Sequence, residues 1–408
     1  MTKLSQKIQN VSKKEWIQIS SRLAQLDAVR GLASMSVFLS HIMALPTSAV
    51  IAKLYMDTPL RIVAYGHGAV MLFFVMSGFV LSLPYLNHHA GSYPSFLIKR
   101  FCRIYIPYLA VIVVAMAMFN SSVPIQGFGA WISELSAGNF RLKSVLEHLV
   151  LLGNFDTTRY NTVIWSLVQE MRISILFPLL ALIVIKFGWK SALLLCAGLS
   201  LVSSLNNWLH FEASYGYQNS FSLTLHYSAV FIIGGLLARY RHACTAFYKR
   251  LPRLVKWGAL LMAMALYTYG IKAQGLAVKL KLTFMGEFVQ DYMIVAGIAI
   301  FLTVALGSRK MTGFLSFKAI KFLGDISYSL SLARRFACRF HTVAGWPTVA
   351  GGDHPCRFCR DDPRILVILS LYRVARDQVG QEMGGQARDQ NGDYAASHPC
   401  KTIAVMDA

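Results

Sequence analysis

The chain has 408 residues, 55% of them hydrophobic and 14% charged, with a mean hydropathy of +0.48. That balance excludes a soluble globular domain and points to a protein that crosses a membrane several times. A net charge of +21 would suit nucleic acid, but most Lys and Arg lie in short stretches between apolar runs, so no nucleic-acid partner is expected.

Residues 1–26 form a basic segment with Lys3, Lys7, Lys13, Lys14 and Arg22. It lacks the short apolar core and small-residue cleavage site of a signal peptide, so it reads as a cytoplasmic, partly amphipathic N-terminal segment. The first apolar run opens at Asp27 and carries Arg30 and His41. Eleven residues of helix are close to three turns, which puts both side chains on one side, about 16 Å apart along the axis. Ionisable groups inside a span face a polar cavity or a charged ligand by default. Each also has a simpler reading: Arg30 can snorkel to the headgroups, and His41 can be a hydrogen-bonded core imidazole.

Apolar runs of about 20 residues, the length needed to cross the hydrocarbon, lie at 28–48, 66–86, 104–122, 166–186, 190–208, 222–239, 256–272 and 289–307. A ninth begins at 320–330. The expected fold is therefore all-α, a polytopic transmembrane helix bundle of eight or nine spans, membrane-embedded over 27–330. With the N-terminus cytoplasmic, the inner loops hold 20 Lys and Arg and the outer loops eight, which favours that orientation. The long stretch 123–165 contains an expected interfacial helix at 144–153. Cys102, Cys196 and Cys244 stand singly in or beside spans and read as small core residues.

Three further motifs carry chemistry. Leu72-Phe73-Phe74-Val75-Met76-Ser77-Gly78-Phe79 places two small residues in the second span, where another helix or a ligand can approach closely. Arg100 and Arg103 are three apart at the start of the third span, and guanidinium forks suit phosphate oxygens. The fourth span opens Trp165-Ser166-Leu167-Val168-Gln169-Glu170-Met171-Arg172. A carboxylate at that depth either pairs with an Arg or takes part in proton chemistry.

The ordered set of Arg30 and His41, Phe73-Phe-x-x-Ser77-Gly-Phe79, Arg100-x-x-Arg103-Ile-x-x-Pro107 and Trp165-Ser-Leu-x-x-Glu170 resembles acyltransferase family 3. These are integral-membrane acyltransferases that modify polysaccharides and related acceptors, typically with about ten spans. The resemblance covers about residues 20–330. It implies transfer of an acyl group, most simply acetyl, from acyl-CoA to a hydroxyl of a cell-surface saccharide or lipid-linked glycan, in the bacterial inner membrane. By the same resemblance His41 is the catalytic histidine, and Arg30, Arg100 and Arg103 hold the donor. Glu170 is expected to serve the active site or the acceptor. The competing reading is a transporter in which the same buried charges form a solute or proton path. Its signature would be related halves with interrupted helices, and no internal repeat is visible.

The pattern changes after Leu330. Where the family continues an apolar helix, residues 331–341 read Ser-Leu-Ala-Arg-Arg-Phe-Ala-Cys-Arg-Phe-His. From 331 onward there are nine Arg and one Lys, against 13 Arg and 17 Lys before. Residues 331–408 are therefore expected to be an atypical tail, out of frame or disordered, and to leave the activity of this product in question. The Cys356-x-x-Cys359 pair in it lacks a second pair at zinc-binding spacing, so no metal is expected.

Overall fold

The computed structural model describes residues 25–41, 58–120, 142–157 and 163–323. The expectations for the N-terminal segment, for the end of the first span and for the tail from 331 fall outside them. Among the described residues every regular element is helical. Helix α1 covers 25–41. A 3-10 turn at Pro59–Ala64 then leads into α2 (Gly66–Leu86), α3 (Tyr93–Asn120) and α4 (Leu142–Val150). They are followed by α5 (Ile164–Lys186), α6 (Trp189–Leu209), α7 (Phe221–Arg250), α8 (Arg253–Tyr269), α9 (Lys272–Lys279), α10 (Gly286–Gly307) and α11 (Arg309–Leu315).

Among the described residues, five helices are long and apolar enough to cross a membrane: α2, α5, α6, α7 and the segment Thr283–Gly307 containing α10. The expected span at 256–272 is broken. α8 and α9 meet at a bend of 64°, and counting that pair as one span gives six. Gly270 lies at the break. Two helices overrun their apolar stretches. α3 starts at Tyr93 rather than 104, and α7 continues to Arg250 rather than 239. Hydropathy marks the part of a helix that sits in hydrocarbon, whereas intrahelical hydrogen bonding continues into water beyond it.

The central contact is between α2 and α7, and two glycines permit it. A Cβ on Gly78 would run into the Phe231 carbonyl, and one on Gly234 into the Val75 carbonyl. Small residues that bring backbones together are the usual means of helix association in lipid, where apolar burial alone gives little drive. Phe74 fills the space beside this seam, with its ring centroid 5.0 Å from Tyr227, 5.6 Å from Phe231 and 6.2 Å from Trp165. A second cluster joins Ile104, Tyr108 and Ile112 of α3 to Phe155 and to Leu167 and Met171 of α5. α4 is tied to this group by the Tyr108 hydroxyl, which donates to the His148 carbonyl at 2.8 Å. Leu194, Leu201, Trp257 and Leu261 point outward, as a lipid-facing surface requires. Of the three described cysteines only Cys196 is buried; Cys102 is exposed and Cys244 intermediate, so the expectation of three core residues holds for Cys196 alone.

Both ends of α1 are pinned. Near its start the Gln25 amide donates to Thr312 Oγ1 of α11 at 2.9 Å. Near its other end Ser40 lies where a Cβ on Gly66, the first residue of α2, would sit. α1 thus runs from the α11 end of the bundle to the end at which α2 begins.

Candidate functional site

Two polar clusters occupy the bundle. The first gathers five of the residues singled out in the sequence: Arg30, Ser77, Arg100, Arg103 and Glu170. Arg100 Nη2 donates to Glu170 Oε1 at 2.8 Å, and its Nε donates to Ser174 Oγ at 3.3 Å. Ser77 Oγ donates to the same Glu170 oxygen at 3.2 Å. The Ser77-Gly78 motif therefore divides its work: Gly78 seats α7, and Ser77 reaches Glu170. Arg30 pairs with Asp27 at 2.8 Å, and its charge is felt by Arg103, Glu170 and Arg100. Three guanidiniums thus face two carboxylates, an arrangement with net positive charge that attracts anions.

Arg100 and Arg103 do not play equal parts. Arg100 is buried at 8% exposure, whereas Arg103 is exposed. Arg100, Ile104, Tyr108 and Ile112 recur every four residues and form the buried stripe of α3. Arg103 lies beside that stripe on the open face.

His41 lies on the same helix as Arg30, about 16 Å away at 1.5 Å per residue. It is half-buried, one residue beyond the Ser40–Gly66 contact. The structure thus groups Arg30, Arg100, Arg103 and Glu170 in one charged layer and puts His41 at the opposite end of α1.

The second cluster was not anticipated. Asp291 of α10 is buried at 4% exposure. Its Oδ1 is 2.5 Å from His67 Nε2 and its Oδ2 is 3.1 Å from His226 Nε2. His226 Nδ1 is 2.8 Å from Ser200 Oγ, which lies 2.6 Å from the Tyr292 hydroxyl. The Tyr292 hydroxyl also donates to the Cys196 carbonyl at 2.9 Å. The chain from α6 through α7 to α10 fixes the carboxylate, and the carboxylate fixes His67. A cavity of about 220 Å³ opens beside it, bordered by Arg61, Tyr65, Tyr217, Gln218, Glu287 and Gln290.

Arg172 has a structural task. Its guanidinium donates to the carbonyls of Leu152, Gly153, Asn219 and Ser220, to Thr224 Oγ1 and to Asn219 Oδ1, at 2.7–3.3 Å. It also lies 4.1 Å over the Phe221 ring. One side chain thereby joins the 151–157 turn to the start of α7. The Glu212 carboxylate caps the same helix, accepting from the amides of Phe221 and Ser222 at 2.6 and 2.7 Å. An ammonium cannot reproduce the fork, and stranded buried acceptors cost about 1–3 kcal/mol each. Arg172→Lys should therefore lower the melting temperature of the detergent-purified protein markedly, with a loss on the order of 3 kcal/mol. An unchanged melting temperature would mean that these bonds contribute little.

Apolar helices with a positively charged layer beside the middle of the Gly66–Leu86 helix and a histidine–carboxylate network near its start are those of a multi-pass membrane protein. Comparison with known proteins makes the class specific. A family model described as an acyltransferase domain, that of acyltransferase family 3, matches residues 23–339, and the chain belongs to this family. It is also 29% identical over 160 residues to the acyltransferase MdmB of Streptomyces mycarofaciens, a match covering 39% of each chain. The chain therefore spans well under two thirds of that relative. No solved structure matches it. The broken α8–α9 pair is the kind of interrupted helix a transporter would use, but the family is one of acyltransferases.

Proposed function

We propose that the protein transfers an acyl group, most simply acetyl, from acyl-CoA to a hydroxyl of a cell-surface saccharide or lipid-linked glycan, in a bacterial inner membrane with its N-terminus cytoplasmic. The observation that carries this reading is the layout of α1, with Arg30 in the charged layer and His41 three turns away. Acyl-CoA has its phosphates at one end and its thioester at the other end of a long, flexible arm. Phosphates at Arg30 and Arg103 would leave the thioester free to reach towards His41. Arg100 would support that layer through Glu170.

As the acceptor oxygen bonds to the acyl carbon and the C–S bond breaks, the His41 imidazole takes the hydroxyl proton and passes it to the departing thiolate. The alternative order forms an acyl-imidazole first, and the acceptor then displaces it. The full chain, purified in detergent, is to be mixed with radiolabelled acetyl-CoA and a panel of simple glycosides. Label should move into a glycoside. Absence of transfer, together with solute uptake by reconstituted vesicles, would favour the transporter instead.

A further inference from the structure

Gln290 is buried at 5% exposure and borders the cavity, and its Oε1 has no hydrogen-bond donor among the described residues. Its amide nitrogen is used, donating to the Tyr65 hydroxyl at 3.3 Å. A buried carbonyl oxygen without a donor is costly, and such exceptions call for an explanation. His67 shows the same incompleteness. Its Nε2 is held by Asp291, and its Nδ1 makes no hydrogen bond among the described residues. His226 is different, because both of its ring nitrogens are engaged, by Asp291 and by Ser200. Of these groups only the His67 ring nitrogen is open to the cavity, and its direction depends on the tautomer, because the Gln290 oxygen exposes almost no surface.

We propose that this cavity is the acceptor subsite and that it binds one neutral, polyhydroxylated ring, with His67 Nδ1 bonding to one of its hydroxyls. The inference rests on the acyl-transfer reading above. Three observations set the ligand class. A hydroxyl both donates and accepts, so it can meet the open His67 nitrogen in either tautomer. Charges of both signs, Arg61 and Asp291 with Glu287, border the cavity, so neither an anion nor a cation is favoured throughout it. Tyr217 supplies an exposed aromatic ring at the rim, which suits the C–H face of a sugar ring. The volume of about 220 Å³ is below the roughly 300–1,000 Å³ of pockets that enclose drug-sized ligands. It fits one terminal unit of a glycan, with the rest of the chain outside. Exposure of Tyr217, at 53%, leaves the rim open for that exit.

Position connects the cavity to the reaction. Tyr65 and His67 flank Gly66, and Gly66 is the residue that meets Ser40, next to His41. The cavity wall therefore adjoins the His41 end of α1. His67, held by Asp291, acts here by positioning the acceptor.

The test uses the full chain, radiolabelled acetyl-CoA and the methyl glycosides of glucose, galactose and rhamnose. His67→Phe should raise the acceptor KM by about tenfold, the loss of a hydrogen bond, and leave the donor KM unchanged. Glu287→Gln, on the exposed rim, guards against misfolding of that variant. It should raise the acceptor KM about twofold or more while the melting temperature stays that of the wild type. An unchanged acceptor KM in folded His67→Phe and Glu287→Gln, or a shift in the donor KM instead, would overturn the subsite and leave the acyl-transfer reading standing. Failure of the wild-type protein to label any glycoside would overturn both.

Discussion

His41→Ala is expected to lower acyl transfer by about 10²–10⁴-fold, the contribution of a positioned acid–base group, while the protein still inserts and purifies. The expectation follows from position. His41 is half-buried at the far end of α1, next to the α1–α2 contact and to the polar cavity. It is not one of the glycines or aromatic rings that hold α2 against α7. Loss of its imidazole should therefore remove chemistry more than stability. Transfer of labelled acetyl to a glycoside, measured on protein with a wild-type melting temperature, checks this. Turnover within a few fold of wild type would make His41 a core residue and move the proton transfer to another group.

The architecture was legible where composition is decisive. Runs of about 20 apolar residues mark hydrocarbon crossings, and the runs at 66–86, 166–186, 190–208, 222–239 and 289–307 coincide with the five helices long and apolar enough to span among the described residues. The helical overruns at 93–103 and 240–250 were hidden because charged residues there look like loop. The break between α8 and α9 was hidden because a bend depends on packing as well as on Gly270.

The charged layer was legible because its members belong to short motifs. The unequal exposure of Arg100 and Arg103 could have been read from the four-residue stripe that Arg100 begins. The His67–Asp291–His226 network could not be assembled from any one segment, since its pairs are separated by 224 and 65 residues. A signal existed nonetheless. All three are ionisable residues inside expected spans, and each sits near the start of an even-numbered span, so alternation alone places them at one end of the bundle.

Splitting the two arginines should separate donor binding from folding. Arg103→Ala is expected to raise the donor KM by about tenfold with kcat nearly unchanged, because an exposed guanidinium that meets phosphate does so equally in the ground and transition states. Raising the salt concentration should weaken donor binding in the wild type more than in this variant. Arg100 answers to a different constraint. It is buried against Glu170 and Ser174, so Glu170→Ala leaves a guanidinium without its carboxylate. Breaking a fully buried pair from one side costs about 3–5 kcal/mol, and this partly buried one should cost somewhat less. The bilayer makes that position harder to tolerate still. Glu170→Ala should thus purify poorly or melt far below wild type. Arg100→Met combined with Glu170→Leu should recover much of the melting temperature, since removing both partners removes the uncompensated charge. The double variant should still bind donor weakly, because the net charge of the layer is unchanged while the support for its geometry is gone. A double variant as unstable as Glu170→Ala would show that the pair does more than balance charge. An Arg103→Ala protein with unchanged donor KM and reduced kcat would place that guanidinium at the reacting carbonyl instead of at the phosphates.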